Sequence, residues 1–217
     1  MTSATKPIVV VDYGSGNLRS VAKAVERAGG VVEVSADPAA LARAGGVVLP
    51  GVGAFRAAME NLTRGGWIEP LLQHLASDRP FLGICLGLQL LFESSEEFGT
   101  TRGLGLCRGR VRAFPLPAAD GTGGERAKVP HMGWNQLRAA HPSLVSEAVG
   151  DDAWAYFVHS YYVDCDEPEL IATTTQHGNV TFTSSIARGR LVACQFHPEK
   201  SQAIGLELLS HFVRLCR

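Results

Sequence analysis

The chain has 217 residues, of which 46% are hydrophobic and 19% are charged, and its formal net charge is -1 at pH 7. This length suits one domain, residues 1–217, with room for a sizeable core. Because no block of lysine and arginine stands out, the composition disfavours binding to nucleic acid or to an anionic membrane.

The first ninety residues alternate short apolar runs with helical patterns. Four apolar runs predict strands: 8–11, 31–34, 47–49 and 81–84. After the first run, apolar residues recur at three- and four-residue steps from Leu18 to Ala28, which predicts an amphipathic helix closed by Gly29. Strands that alternate with helices indicate a parallel sheet covered on both faces.

Targeting and redox signals favour a cytoplasmic protein. The N-terminus lacks the apolar core of a signal peptide, and the longest apolar stretch, 81–92, is too short to span a bilayer. The five cysteines are odd in number and widely spaced, which disfavours a disulfide framework or a zinc ribbon and favours a reducing compartment.

Two glycine-containing segments follow predicted strands. Gly14-Ser15-Gly16, with Glu33 further along, imitates a dinucleotide fingerprint, but Arg19 occupies the third glycine position and the interpretation is disfavoured. The second segment, 50–55, follows the third strand, and its glycines allow backbone N–H groups to approach a ligand closely. It is either an oxyanion hole or simply a turn.

The most informative stretch is Gly83-Ile84-Cys85-Leu86-Gly87. An apolar strand runs into G-x-C-x-G, and we expect a helix to follow through Phe92. This is the pattern of a nucleophile elbow with cysteine as the nucleophile, in which the helix N-terminus favours a thiolate and offers N–H groups to an oxyanion. The alternative is a buried core cysteine.

A cysteine nucleophile needs a base, and His197-Pro198-Glu199 follows the predicted strand 191–196. In an extended chain residues i and i+2 share a face, so Glu199 could orient the His197 imidazole. The alternative is an ordinary surface turn. The other histidines have no metal-ligand spacing, so we predict no metal and no cofactor.

The second half of the chain reads as strands joined by turns. The strand-like segments are 110–114, 154–163, 171–175, 180–185 and 191–196. We expect them to form an antiparallel extension of the same sheet, with a surface loop at 118–124 and a last helix over 202–215.

Together these motifs resemble the class I glutamine amidotransferases. The segments PGVG at 50–53, GICLGLQ at 83–89 and HPEKS at 197–201 have the family's order and spacing. Within the family the chain is most similar to the glutaminase subunits of imidazole glycerol phosphate synthases, on the segments 12–17, 50–55, 130–135 and 156–161. The resemblance implies an α/β fold: a three-layer, doubly wound, flavodoxin-like mixed sheet with the antiparallel extension in the C-terminal half.

The resemblance also implies a mechanism. Cys85 would attack the side-chain amide of L-glutamine, His197 would move the proton, and Glu199 would hold the imidazole, so that ammonia leaves and water hydrolyses a γ-glutamyl thioester to glutamate. The implied oxyanion hole comprises Gly51, Val52, Gly53 and Leu86. The implied glutamine-binding residues are Gln89, Glu97, Ser160 and Tyr161, with Glu93 and Glu96 open as alternatives to Glu97.

The resemblance further implies a heterodimer with a cyclase subunit that folds as a (β/α)8 barrel and receives the ammonia. The implied interface residues are Asn17, Trp134, Tyr156 and Lys200. Without the resemblance, Trp134 and Tyr156 would be core aromatics and Lys200 a solvated charge. Two departures concern partner fit: the loop at 120–125 is longer than average, and His177 stands where an aromatic residue is more usual.

Two other functions stay open at this point. The chain could serve another synthase, such as anthranilate or aminodeoxychorismate synthase, although the segment 130–135 argues against that. It could also be a catalytically silent binding module on the same fold.

Overall fold

The computed structural model describes residues 6–115, 128–150 and 152–217, and the loop predicted at 118–124 lies outside them. The strands are β1 (Ile8–Val11), β2 (Val32–Ser35), β3 (Gly46–Gly51), β4 (Phe81–Cys85), β5 (Phe92–Ser95), β6 (Thr101–Arg102), β7 (Cys107–Ala113), β8 (His131–Gln136), β9 (Arg138–Ala139), β10 (Trp154–His159), β11 (Tyr161–Cys165), β12 (Ile171–His177), β13 (Val180–Arg188) and β14 (Leu191–Cys194). The helices are α1 (Leu18–Arg27), α2 (Phe55–Arg64), α3 (Ile68–Ala76), α4 (Leu86–Gln89), α5 (Leu144–Val149) and α6 (Gln202–Leu215). No helix in these ranges has the length and apolarity needed to cross a membrane.

The parallel half of the main sheet has the order β2-β1-β3-β4-β14. Every residue of β1, β3, β4 and β14 is buried, because helices cover both faces. Val21 of α1 and Leu208 of α6 pack on one face, whereas Leu62 of α2 and Leu71 of α3 pack on the other. The predicted three-layer, doubly wound α/β architecture is confirmed.

The C-terminal half extends this sheet through antiparallel pairs. From β14 the order continues through β13, β11 and β7, with β12 beside β13. The prediction that the whole segment 154–163 extends this sheet is wrong, because the chain breaks at Ser160 into β10 and β11. The strand before the break, β10, pairs only with β8 in a separate two-stranded antiparallel sheet among the described residues.

The prediction that the helix after Cys85 continues through Phe92 is also wrong. The helix α4 is a single turn, and β5 begins at Phe92 and pairs in parallel with β7. The carbonyl of Leu91 accepts hydrogen bonds from the N–H groups of Leu106 at 2.9 Å and Cys107 at 3.1 Å. A longer helix would break these sheet contacts, so tertiary pairing overrides local helix propensity.

Three buried histidines are held neutral by the fold. Their pKa values are lowered to about 4 for His74, about 4 for His131 and about 3 for His159, and the main cause is burial. The side chains are between 2% and 7% exposed. Each unfolded histidine would titrate near the ordinary pKa of about 6.5, so protons bind the unfolded chain first as the pH falls.

We therefore expect acid to destabilise the protein below about pH 6.5, the ordinary histidine pKa. Each of the three histidines should cost up to about 1.4 kcal/mol of unfolding free energy per pH unit until its folded-state pKa is reached. Urea unfolding between pH 7 and pH 4 measures this slope. The control is His74→Gln. In the wild type His74 Nε2 lies 3.0 Å from the Pro80 carbonyl oxygen, and glutamine keeps a donor for that oxygen. This variant should lower the slope of unfolding free energy against pH by the contribution of one histidine. An unchanged slope in this variant would contradict the explanation.

Candidate active site

A cavity of about 410 Å³ opens at the carboxyl ends of three adjacent parallel strands, β3, β4 and β14. Cys85 is the last residue of β4, Gly51 is its ladder partner at the end of β3, and His197 follows β14. The cavity is lined by most of the predicted site residues: Val52, Gly53, Cys85, Leu86, Gln89, Glu97, Ser160, Tyr161 and His197. The topology thus assembles residues that are more than a hundred positions apart.

Cys85 occupies a strained turn, with φ of 54° and ψ of -106°. A non-glycine residue in this region costs of order 1–3 kcal/mol and persists where the surroundings hold it. Its side chain is 6% exposed, and Sγ lies 3.9 Å from the Val158 carbonyl oxygen. The elbow geometry is as predicted, but the one-turn helix that follows is too short to supply a strong dipole, so thiolate stabilisation depends more on His197.

His197 and Glu199 are in direct contact. His197 Nδ1 lies 2.9 Å from Glu199 Oε1, and the two side chains are 3% and 1% exposed. Burial alone would lower the pKa of His197, but interactions with the Cys85 and Glu199 side chains outweigh burial and raise it to about 10. The imidazole is therefore protonated at neutral pH, the form that stabilises a neighbouring thiolate and can donate a proton.

The contact between His197 and Glu199 agrees with the prediction, but the backbone conformation that produces it does not. Residues Pro198–Lys200 form a 3-10 turn rather than an extended chain. The N–H of His197 donates to the Tyr156 carbonyl at 2.9 Å, and the Ser201 hydroxyl donates to the His197 carbonyl at 2.7 Å. His197 Nε2 is buried and has no hydrogen bond of normal geometry to any described residue, so it is available to a reacting group.

The segment 51–53 borders the nucleophile. A Cβ at Gly51 would lie 2.6 Å from Tyr13 Oη and 2.8 Å from Leu86 Cβ, so only glycine fits between them. The Val52 carbonyl accepts a hydrogen bond of 2.5 Å from the Ser15 hydroxyl. The Gly14–Gly16 loop therefore braces this segment, which gives the first glycine motif a structural role.

Gln89 and Gln195 connect the cavity wall to the nucleophile. Gln89 Nε2 donates to the Tyr161 carbonyl and to Gln195 Oε1, both at 3.0 Å, and Gln195 Nε2 donates to Cys85 Sγ at 3.5 Å. Sequence reasoning missed Gln195. The available signal was a glutamine within the apolar run 191–196, two residues before His197.

The three acidic candidates have different surroundings. Glu97 lines the cavity, and its Oε2 accepts a hydrogen bond of 2.6 Å from the N–H of Phe55, at the start of α2. Glu93 Oε2 accepts from the N–H of Gly109 at 3.0 Å, and the exposed Glu96 lies 3.9 Å from Arg110. Position therefore favours Glu97 as the acidic group that faces a ligand.

Three of the residues implied for a partner interface form one surface cluster. Trp134 and Tyr156 are ladder partners with ring centroids 6.1 Å apart, and Lys200 Nζ lies 5.7 Å from the Tyr156 ring centroid. Trp134 is 42% exposed, so the alternative of a core aromatic is wrong for it. Asn17, half-buried, precedes α1, which lies beside the 198–200 turn.

The sequence profile of the family described as Glutamine amidotransferase class-I matches residues 9–215. This chain belongs to the class I glutamine amidotransferases. The amidotransferase is 51% identical to "Imidazole glycerol phosphate synthase subunit HisH" of Syntrophotalea carbinolica, over 94% of this chain and 98% of that one. It is 52% identical to the protein of the same name from Synechococcus elongatus, over 97% of this chain and 94% of that one.

Solved structures of low sequence identity share the amidotransferase fold. A putative GMP synthase subunit from Thermoplasma acidophilum superposes with a TM-score of 0.69 at 19% identity, over 99% of this chain and 95% of that one. The glutaminase domain of CTPS from Trypanosoma brucei, with bound acivicin, superposes with a TM-score of 0.65 at 16% identity, over 97% of this chain and 94% of that one. These similarities support the fold alone. Within the described residues of this amidotransferase, no three His, Cys, Asp or Glu side chains are arranged to hold a metal ion.

Proposed function

We propose that this chain is the glutaminase subunit of an imidazole glycerol phosphate synthase and hydrolyses L-glutamine to L-glutamate and ammonia in the cytoplasm. The observation that carries the proposal is the meeting of Cys85, the His197–Glu199 pair and the Gly51–Gly53 segment at one cavity. The pathway rests on relatives about half identical over nearly the whole chain.

The reaction follows from the positions of these groups. The Cys85 thiolate attacks the amide carbon of glutamine, and the resulting oxyanion is stabilised by backbone N–H groups of Leu86 and of the segment 51–53. His197 donates its proton to the departing nitrogen, which releases ammonia and leaves a γ-glutamyl thioester. Water then attacks the thioester, His197 accepts the proton of that water, and glutamate leaves as the thiolate re-forms.

Glutamine is held at both ends. Gln89 contacts the bound glutamine, and Glu97, with one carboxylate oxygen already bound to the N–H of Phe55, receives the α-amino group. The backbone at Ser160 and Tyr161 receives the α-carboxylate. All four residues line the same cavity as Cys85, which supports the assignment.

The ammonia is passed to the (β/α)8 barrel of a cyclase partner in a heterodimer. In water ammonia would be mostly protonated, and the ammonium ion has no lone pair for attack, so a path that excludes water is needed. Exposed apolar side chains beside the cavity and on β8 support a docking surface there: Val52, Val129, Met132 and Trp134 are between 42% and 62% exposed. Trp134, Tyr156, Lys200 and Asn17 are the proposed contact residues.

Glutamate release by the purified chain tests the proposal. The assay is run with the chain alone, with the cyclase, and with the cyclase plus a ligand of its active site. We expect slow turnover by the chain alone and strong activation when both are present, because two-site coupling organises the oxyanion segment. Activity that does not change when the cyclase is added would contradict the assignment to this synthase but support the glutaminase activity. No activity in any condition would indicate a catalytically silent binding module.

Glu199→Gln should lower kcat for glutamine hydrolysis about 100-fold, within the usual range for impaired acid–base catalysis. The neutral amide removes the charge that helps to raise the pKa of His197, so that pKa should fall as well. Enzyme kinetics and an NMR titration of the histidines measure both effects. The matched control is Glu207→Gln, which alters an exposed pair with His211 at 3.3 Å and should change neither quantity.

A further inference from the structure

Two buried histidines that the proposed reaction does not use connect the cavity wall, which His159 helps to line, with strand β8. His131 begins β8 and His159 ends β10, and the two are ladder partners with ring centroids 4.9 Å apart. They are 4% and 7% exposed, and phenylalanine rings surround them. Burial lowers the pKa of both, so both rings are neutral at neutral pH.

A neutral imidazole has one donor and one acceptor, and the neighbouring groups decide which nitrogen is which. His159 Nδ1 lies 2.8 Å from the Tyr161 carbonyl oxygen, which can only accept, so Nδ1 carries the proton. His159 Nε2 is then an acceptor, and His131 Nδ1, at 2.9 Å, must donate to it. His131 Nε2 in turn accepts from the Asn135 amide at 3.1 Å, and that amide also donates to the Gln176 carbonyl at 2.9 Å.

The hydrogen bonds therefore run in one direction, from Asn135 through His131 and His159 to the carbonyl of Tyr161. A proton added to His159 would place two donors against each other at the His131–His159 contact, and a proton added to His131 would do so at the His131–Asn135 contact. In either case the chain would break at that contact. This chain of hydrogen bonds, Asn135–His131–His159–Tyr161, is complete only in its neutral form.

The end of the chain is at the glutamine cavity. The Tyr161 carbonyl also accepts from Gln89 Nε2, so it joins the histidines to the Gln89–Gln195–Cys85 contacts. Ser160, the residue before it, lies between the two sheets and belongs to neither ladder. The histidine chain therefore supports the cavity wall at the first residue of β11, directly beside the interruption of the ladders at Ser160.

We propose that His131 and His159 are positioning residues of the glutamine site, which hold the Tyr161 carbonyl, and through it Gln89, in the arrangement that receives glutamine. This inference rests on the proposed glutaminase function. His131 reaches the substrate only through His159 and the Tyr161 carbonyl, so its effect falls on glutamine binding rather than on the chemistry at Cys85.

A pair of variants at one position tests the proposal. His131→Phe keeps a ring stacked on Phe157, whose centroid is now 4.8 Å away, but it removes the donor. His131→Asn places an amide donor near the former Nδ1. We expect the KM for glutamine to rise about 10-fold in His131→Phe, with kcat within about 2-fold of the wild type, and to return to within about 3-fold in His131→Asn.

A third variant separates positioning from packing. His177 stacks on His131 with ring centroids 4.0 Å apart, but its Nε2 bonds the Lys128 carbonyl, outside the chain of hydrogen bonds to Tyr161. His177→Phe should leave both KM and kcat unchanged. An equal rise in KM in this variant would overturn the proposal, because packing would then explain the effect.

Nitrogen NMR of the histidine rings gives an independent readout. The wild-type chain should show both His159 and His131 as Nδ1–H tautomers. In His131→Phe the signal of His159 Nε2 should shift toward that of an acceptor nitrogen without a hydrogen bond, because its donor is gone. An Nε2–H tautomer of His159 in the wild type would overturn the proposal even if every variant failed to fold. If instead the wild-type complex hydrolyses no glutamine while the predicted tautomer is present, the proposed function fails and not the hydrogen-bond chain.

Discussion

Glutamine hydrolysis by the complex should fall by about 10⁴-fold or more when Cys85 is replaced by alanine, the scale seen when a covalent nucleophile is removed. No other thiol can take its place, because the other described cysteines lie outside the cavity. The loss should appear in kcat, since the thiol forms the covalent bond in the reaction.

The matched control is Cys165→Ala. Cys165 is a half-buried cysteine in β11, paired with Gly109 of β7 and outside the cavity. This variant should keep its activity within about 2-fold, in line with a substitution away from the site. A glutamine-analogue electrophile should label the wild type and Cys165→Ala but not Cys85→Ala. Turnover that survives in Cys85→Ala would remove this residue from the mechanism.

Gly87→Ala should destabilise the fold by about 3 kcal/mol or more, the upper end of the usual cost of overpacking a core. A Cβ at Gly87 would lie 1.9 Å from the Leu49 carbonyl oxygen of β3. No change of rotamer relieves a clash between Cβ and backbone, so α4 would have to move away from the sheet and take Cys85 with it. Urea unfolding at pH 7 measures the loss.

Gly66→Ala provides the comparison. Gly66 has φ of 71°, so alanine there is strained, but nothing lies within 4 Å of its Cβ position. We expect a cost of about 1 kcal/mol from the backbone conformation alone. If Gly87→Ala unfolded at the same urea concentration as Gly66→Ala, crowding against β3 would not be the reason for glycine at the elbow.

Local signals were enough to predict much of the fold and the central residues of the site. The buried strands β1, β3 and β4 appear as apolar runs, and the amphipathic pattern of α6 gives its bounds directly, Gln202–Leu215. The turn around Cys85 is visible because its glycines occupy fixed offsets. Each of these features depends on residues close together in the chain.

The features that were missed depend on contacts across the chain. The end of α4 is set by pairing with β7, and the separate β8–β10 sheet is set by the break at Ser160. The partnership of His131 with His159 joins residues 28 positions apart, and that of Gln195 with Cys85 joins residues 110 apart. No local pattern encodes such pairs, so the sequence alone could name candidates without showing which of them meet.

The three strands that end at the cavity limit how the rate can be controlled. The nucleophile ends β4, which is paired with β14 up to Cys194. The base follows β14 three residues later and is held by the hydrogen bonds of its N–H to Tyr156 and of its carbonyl to Ser201. A partner cannot move these two groups apart without breaking hydrogen bonds of the central sheet or those that hold His197. Val52, Gly53 and Ser160 lie outside the ladders, and only such segments can respond to docking at low energetic cost. The site therefore divides into a rigid half, which performs bond making, and an adjustable half, on which an external signal can act.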